Sequence, residues 1–171
     1  MSNWIRVPGV VIKGHGVASG QADDPRFPGG TLQMQKPVFE KLGLCLDDYF
    51  LGTINVSIDP YHYELKQSKY TFRQVQWAVD RPAEDFSFFD CRLRLRNGIP
   101  HPGLIYYPHP ETKPEHFQDP GTLEVLTAFI GGLGYGDLLV LELDSDQMVI
   151  GEGGKGKGKG QETITHHRRS P

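Results

Sequence analysis

Thr53 and Asn55 stand two residues apart in the run Leu51-Gly52-Thr53-Ile54-Asn55-Val56-Ser57-Ile58. In an extended chain alternate side chains share a face, so the hydroxyl and the amide lie side by side while Ile54, Val56 and Ile58 turn the other way. Two small oxygen donors presented together suit a hard divalent cation or a phosphate. The same pattern also describes an ordinary half-buried strand whose polar face meets water. Gly14-His15-Gly16, directly after an apolar run, frees the backbone to bend around an anion with its N–H groups turned inward. Glu124 sits inside the apolar run Leu123 to Leu126, where a charge is costly unless partnered. It is either an outward-facing strand residue or a carboxylate aimed into a pocket to accept a ligand hydroxyl or proton.

Other chemistries find little support. His62, His101, His109 and His116 lie in proline-flanked loops without the short spacing that orients zinc ligands, and cysteine pairs are missing. No Gly-x-Ser-x-Gly elbow accompanies a histidine. The first glycine turn lacks the third glycine and the following helix of a dinucleotide fingerprint. The Gly-Lys repeat after Gly151 does not stand between a strand and a helix, so it is not a phosphate-gripping P-loop.

The elements that would hold these residues are short. Thirteen prolines and twenty-one glycines punctuate the chain and favour a small β-rich fold. Strands are expected over Val7–Lys13, Thr53–Ile58, Tyr70–Val79, Phe86–Leu95, Gly103–Tyr107, Thr122–Ala128 and Leu138–Leu143. Asn97-Gly98 predicts a hairpin between the fourth and fifth of these. Cys91, Leu93 and Leu95 alternate with Arg92, Arg94 and Arg96, which predicts one core face and one basic, wet face. Lys36–Leu44 is the helix candidate, with Pro37 in its first turn and Gly43 stopping it. The segment Gln21–Gly30 reads as an exposed loop.

At 171 residues the chain suits one domain, expected over residues 1–150, followed by a disordered Gly/Lys-rich tail over 151–171. Nothing in it approaches a membrane-spanning apolar run or a leader peptide, so a soluble, cytoplasmic protein is expected. Cys45 and Cys91 sit singly in apolar segments and read as buried free thiols. The net charge of −3, with much of the positive charge in the tail, argues against broad nucleic-acid binding.

The order of segments resembles the archaeal-type CTP-dependent riboflavin kinases from about Val10 to Leu143. The glycine turn, the Gly52-Thr53-Ile54-Asn55-Val56 run, Leu123-Glu124-Val125-Leu126 and the turn Leu133-Gly134-Tyr135-Gly136-Asp137 carry the likeness. The resemblance implies an all-β fold with one or two short helices, a compact six-stranded cradle-loop β-barrel. It implies transfer of a phosphoryl group from CTP, or another nucleoside triphosphate, to riboflavin, giving FMN with Mg²⁺ as cofactor. By position, Thr53 and Asn55 would hold the metal, and Gly14, His15, Gly16, Val17 and Ala18 would wrap the nucleotide. Thr112 and Glu124 would contact the flavin, with Glu124 the catalytic proton acceptor. Tyr106, Tyr107 and Phe117 could offer aromatic surface to the flavin ring. Where the family carries an Asn-Leu-Arg-like segment this chain has Phe129-Ile130-Gly131-Gly132, with no cation. Two other readings stand beside the kinase: a non-catalytic flavin- or nucleotide-binding barrel acting as a sensor, and a nucleic-acid-associated barrel, which the acidic body disfavours.

Overall fold

The computed structural model describes residues 3–14, 29–113 and 119–153. Nine strands and one helix follow in the order β1 (Trp4–Ile12), α1 (Thr31–Lys41), β2 (Ile54–Ser57), β3 (Tyr61–Leu65), β4 (Tyr70–Val75), β5 (Glu84–Arg94), β6 (Pro100–Pro108), β7 (Thr122–Thr127), β8 (Leu138–Asp144) and β9 (Met148–Glu152). The main sheet runs β4-β5-β6-β7-β2-β1-β8, and β8 also pairs with β5. That last pairing closes six antiparallel strands into a barrel, with β4 as a flap beside β5. The expected all-β barrel is therefore observed. The β5–β6 hairpin forms as Asn97-Gly98 predicts, with Leu93 opposite His101 and Phe86 opposite Pro108.

Period-two alternation sorts the strand residues into two cores. Val7, Val11, Val56, Phe89, Cys91, Leu93, Ile105, Leu123, Val125 and Leu141 point inward and fill the barrel. The alternate residues Phe86, Phe88, Leu104, Tyr106 and Leu126 point outward and are roofed by Leu32 and Phe39 of α1. Phe39 packs edge-on against Phe86 and Phe88, with ring centroids 5.1 and 5.2 Å away. Burying one such ring contributes about 2–3 kcal/mol. Only part of the barrel's outer wall is thus wet.

Several expected boundaries move. The helix begins at Thr31, five residues before the expected start, so Pro37 lies inside it rather than in its first turn. Fully buried Leu32 and Phe39 and the buried Gln35 supply the packing that outweighs the missing N–H. The helix ends at Lys41, three residues before the expected Leu44, with Gly43 as the stop: Gly43 takes φ 101°, and the Gly43 and Leu44 N–H groups close back on Glu40 and Phe39 carbonyls. The strand from Tyr70 stops at Val75, after a bulge between Phe72 and Val75 that shifts the register. The β3–β9 pair, Tyr61 opposite Glu152, has no counterpart in the expected elements, and β9 runs two residues into the segment assigned to the tail. Cys91 is buried, but Cys45 is exposed rather than buried; both are free. No helix in the described residues is long and apolar enough to cross a membrane.

Candidate functional site

Three neighbouring strands build the site on the barrel's outer wall. Asn55 of β2 stands opposite Glu124 of β7, and Ile54 opposite Val125. Thr53, two residues before Asn55 on the same face, is therefore the diagonal neighbour of Glu124. Its hydroxyl donates to Glu124 Oε1 over a long 3.5 Å. On the far side of β2, Ile12 of β1 stands opposite Asn55. Two residues on, Gly14 lies so close to Asn55 that a Cβ there would fall 2.2 Å from the amide nitrogen. The absence of a side chain at Gly14 leaves the Asn55 amide the space it occupies, and a Cβ there would oblige that amide to move.

On the β6 side, Leu104 stands opposite Leu126 and Ile105 opposite Val125, so the next step of the register brings Tyr106 beside Glu124. The Tyr106 hydroxyl donates to buried Gln35 of α1 at 2.9 Å. Burial first, and then the nearby Glu124 charge, push the Tyr106 hydroxyl well above its ordinary range. Glu124 is thus flanked by Asn55 and Tyr106 and shut in from the α1 side by the outer core.

That enclosure sets its electrostatics. Glu124 Oε2 is buried with no hydrogen-bond partner. Burial raises the carboxyl above the usual carboxylate range, against smaller opposing effects of the Lys113 charge and the Thr53 hydroxyl. A carboxyl in this condition holds its proton more readily, which matches a group whose task is to take a proton from an alcohol.

The sequence-predicted residues are partly brought together. Gly14, Thr53, Asn55 and Glu124 form one constellation. His15, Gly16, Val17 and Ala18 lie outside the described residues, as do His116, Phe117 and the tail beyond Gly153. Thr112 has its hydroxyl engaged elsewhere, accepting from the Asp85 N–H at 2.8 Å and donating to the His109 carbonyl at 3.2 Å. Lys113, the next residue, is the one from that turn whose charge acts on Glu124. His109 is tied to Ser87, Nε2 to Oγ 2.7 Å. Tyr107 stacks edge-on to His109 and Tyr63 rather than standing free. Tyr106, expected against a flavin ring, instead binds Gln35 and borders Glu124, and Lys113, which no sequence pattern singles out, acts on that carboxyl by its charge.

Metal chemistry fits the donor set at Thr53 and Asn55. A hydroxyl and an amide oxygen are hard neutral ligands, and Mg²⁺ needs few protein ligands because it keeps waters and takes phosphate oxygens. A second grouping of metal-type donors among the described residues, Glu40, Cys45 and Asp47, is exposed. There the Lys36 ammonium already lies 2.6 Å from Asp47 and 3.2 Å from Glu40, filling the place of a cation.

No protein-family model, curated protein or solved structure matches this chain.

Proposed function

We propose that the chain is a riboflavin-kinase-like phosphotransferase, moving the γ-phosphoryl group of CTP or another nucleoside triphosphate onto the ribityl primary hydroxyl of riboflavin. The reading rests on the resemblance carried by the Gly-Thr-Ile-Asn-Val and Leu-Gly-Tyr-Gly-Asp segments together with one structural observation. A buried, partnerless carboxylate oxygen of Glu124 lies beside Thr53, Asn55 and the first glycine bend. Glu124 accepts the hydroxyl proton while the substrate oxygen bonds to the γ-phosphorus. The bond from that phosphorus to the β–γ bridging oxygen breaks, leaving FMN and the nucleoside diphosphate. Thr53 and Asn55 would hold Mg²⁺, which when bound neutralises phosphate charge. The protein's own contribution is positioning, which suits phosphoryl transfer.

One observation favours a second reading, a non-catalytic flavin- or nucleotide-binding sensor. The connection from Ala128 to Asp137 carries no lysine or arginine, and phosphoryl transfer gains from cationic neutralisation. Incubation with riboflavin, Mg²⁺ and each of CTP, UTP, ATP and GTP separates the two. The kinase yields FMN, and Thr53→Ala or Asn55→Ala removes turnover while riboflavin affinity is kept. Ligand binding with no Mg²⁺-dependent FMN would sink the kinase and leave the sensor.

A further inference from the structure

Helix α1 roofs the Phe86, Phe88 and Tyr106 side of the barrel. The outer wall formed by β1, β8 and the end of β5 lies elsewhere, and there Arg6, Pro8, Arg96 and Leu138 are exposed. Register aligns this wall in rows. Arg6 stands opposite Glu142, and Glu142 opposite Arg92; two residues on, Pro8 stands opposite Val140, and Val140 opposite Arg94. In the next row Val10 stands opposite Leu138. Leu138 and Arg96 together line a surface cleft of about 280 Å³ at the barrel end. An apolar column, Val140 and Leu138, therefore runs between arginines on either side.

The charges of the wall are sorted by depth. Its carboxylates lie beneath: Glu142 is 1% exposed and Asp144 6%. Glu142 holds Arg6 Nε at 3.0 Å and Arg94 Nε at 3.1 Å, while Asp144 Oδ1 accepts the Asp146 N–H at 2.9 Å. Asp90, earlier on β5, is tied to Lys69 at 2.8 Å. Asp137, in the cleft, accepts the Gly134 N–H at 2.8 Å. The guanidiniums face outward. Arg6 keeps 67% of its side chain exposed, and Arg92 lies 3.9 Å over the Trp4 ring. Neither Arg92 nor Arg96 forms an ion pair among the described residues. A wall whose exposed charge is positive, on a chain of net charge −3, fits an anionic partner.

We infer that this wall is a docking surface for an extended acidic segment of a partner protein. Arg92 and Arg96 are four residues apart along the strand direction, about 13 Å. An extended partner repeats that distance between acids at every fourth position. Its side chain midway between them is apolar and meets Val140 and Leu138. Guanidiniums suit this task because their fork matches a carboxylate with two parallel hydrogen bonds. A nucleic acid fits less well. Single strands are held by bases stacking on free rings, whereas Trp4, the aromatic residue of this wall among the described residues, already has Arg92 over it. The inference does not depend on the phosphotransfer reading, whose residues lie on β2 and β7.

Fluorescence anisotropy with the full chain tests this, using labelled probes. They are a peptide of the repeat Glu-Ser-Leu-Ser, the same repeat with lysine in place of glutamate, and a mixed-sequence single-stranded DNA. The glutamate peptide is expected to bind, more weakly as salt is added, and the lysine peptide is not. Arg92→Gln and Arg96→Gln are each expected to weaken the glutamate peptide about tenfold. Lys41→Gln, which removes an equal charge from α1, should leave it unchanged. Arg96 is exposed, so its variant should melt as the wild type does and decides the matter if Arg92→Gln melts early. The inference is overturned if the glutamate peptide does not bind, or if Arg96→Gln binds it as the wild type does. Equal weakening by Lys41→Gln, or equal binding of the lysine peptide, also overturns it. Tighter, Arg96-dependent binding of the DNA would give the wall to a nucleic acid instead.

Discussion

Glu124 and Glu142 both project from the outer wall of the barrel; Glu142 is fully buried and Glu124 half-buried with its Oε2 shut away from water, and their surroundings differ. Glu142 is 1% exposed and lies between two guanidiniums, with Arg6 Nε 3.0 Å and Arg94 Nε 3.1 Å from Oε1. Arg94 Nη2 reaches its other oxygen at 3.3 Å. Burial pushes the Glu142 carboxyl up, but Arg94 and then Arg6 outweigh it and hold the group below the usual range. Glu124 receives one long hydroxyl contact and the more distant charge of Lys113, and burial prevails. One carboxylate is neutralised where it stands; the other is left with an unfilled oxygen. A buried charge without a partner lowers stability, and its presence points to a task other than holding the fold together.

The contrast can be broken most strongly at Glu124. Glu124→Gln is expected to lower FMN formation about a hundredfold or more while leaving the melting temperature at alkaline pH unchanged or higher. A variant that melts earlier with its turnover intact would make Glu124 structural. Next comes Glu142→Gln, which strands two guanidiniums. Because Arg6 is largely exposed, the expected loss in urea unfolding is about 1–3 kcal/mol, with any turnover retained in proportion to folded protein. Equal stability in the two glutamine variants would erase the distinction.

pH sharpens it, because the two groups contribute opposite slopes. The lowered Glu142 carboxyl adds stability that is present above its unfolded value and lost as pH falls through the folded one. The raised Glu124 carboxyl adds stability that is full below its unfolded value and lost as pH rises through the folded one. Denaturant midpoints across the acid and neutral range should therefore flatten on the acid side in Glu142→Gln and on the alkaline side in Glu124→Gln. On stability, as distinct from turnover, the smallest effect is expected from Thr53→Ala. It removes a hydrogen bond that lowers the Glu124 carboxyl, so the NMR titration of that carboxyl moves further up. Stability should change by less than about 1 kcal/mol. A titration that does not move would show the 3.5 Å contact to be without influence.

The sequence makes the Thr53 and Asn55 side of this contrast legible, because a two-residue period in a β-branched run assigns faces without reference to the rest of the chain. The Arg92-Arg94-Arg96 alternation is readable for the same reason, although not that Glu142 would capture Arg94 or that Arg92 would lie 3.9 Å over the Trp4 ring. The burial of Glu124 is not readable. It depends on a helix some ninety residues earlier and on a tyrosine from another strand, and a strand pattern cannot say whether its outer face is roofed. Pro37 by local preference marks a helix start, but the packing of Leu32, Gln35 and Phe39, which local preference does not contain, carries the helix back to Thr31. The Tyr61–Leu65 strand is not legible because its partner, Met148–Glu152, borders a segment whose glycines and lysines suggest no structure at all.

The β5–β8 closure bears on how this protein behaves in company. A sheet that ends offers a row of unclaimed peptide groups to any passing chain, and six of these strands have no such margin. Within the seven-stranded sheet, the remaining margin is the free side of β4, six residues long. It is interrupted where Gln74 takes φ 51°, beside the bulge between Phe72 and Val75. A neighbour attempting to extend the sheet there meets a kink instead of a straight template, so crowding should favour separate molecules over ribbons.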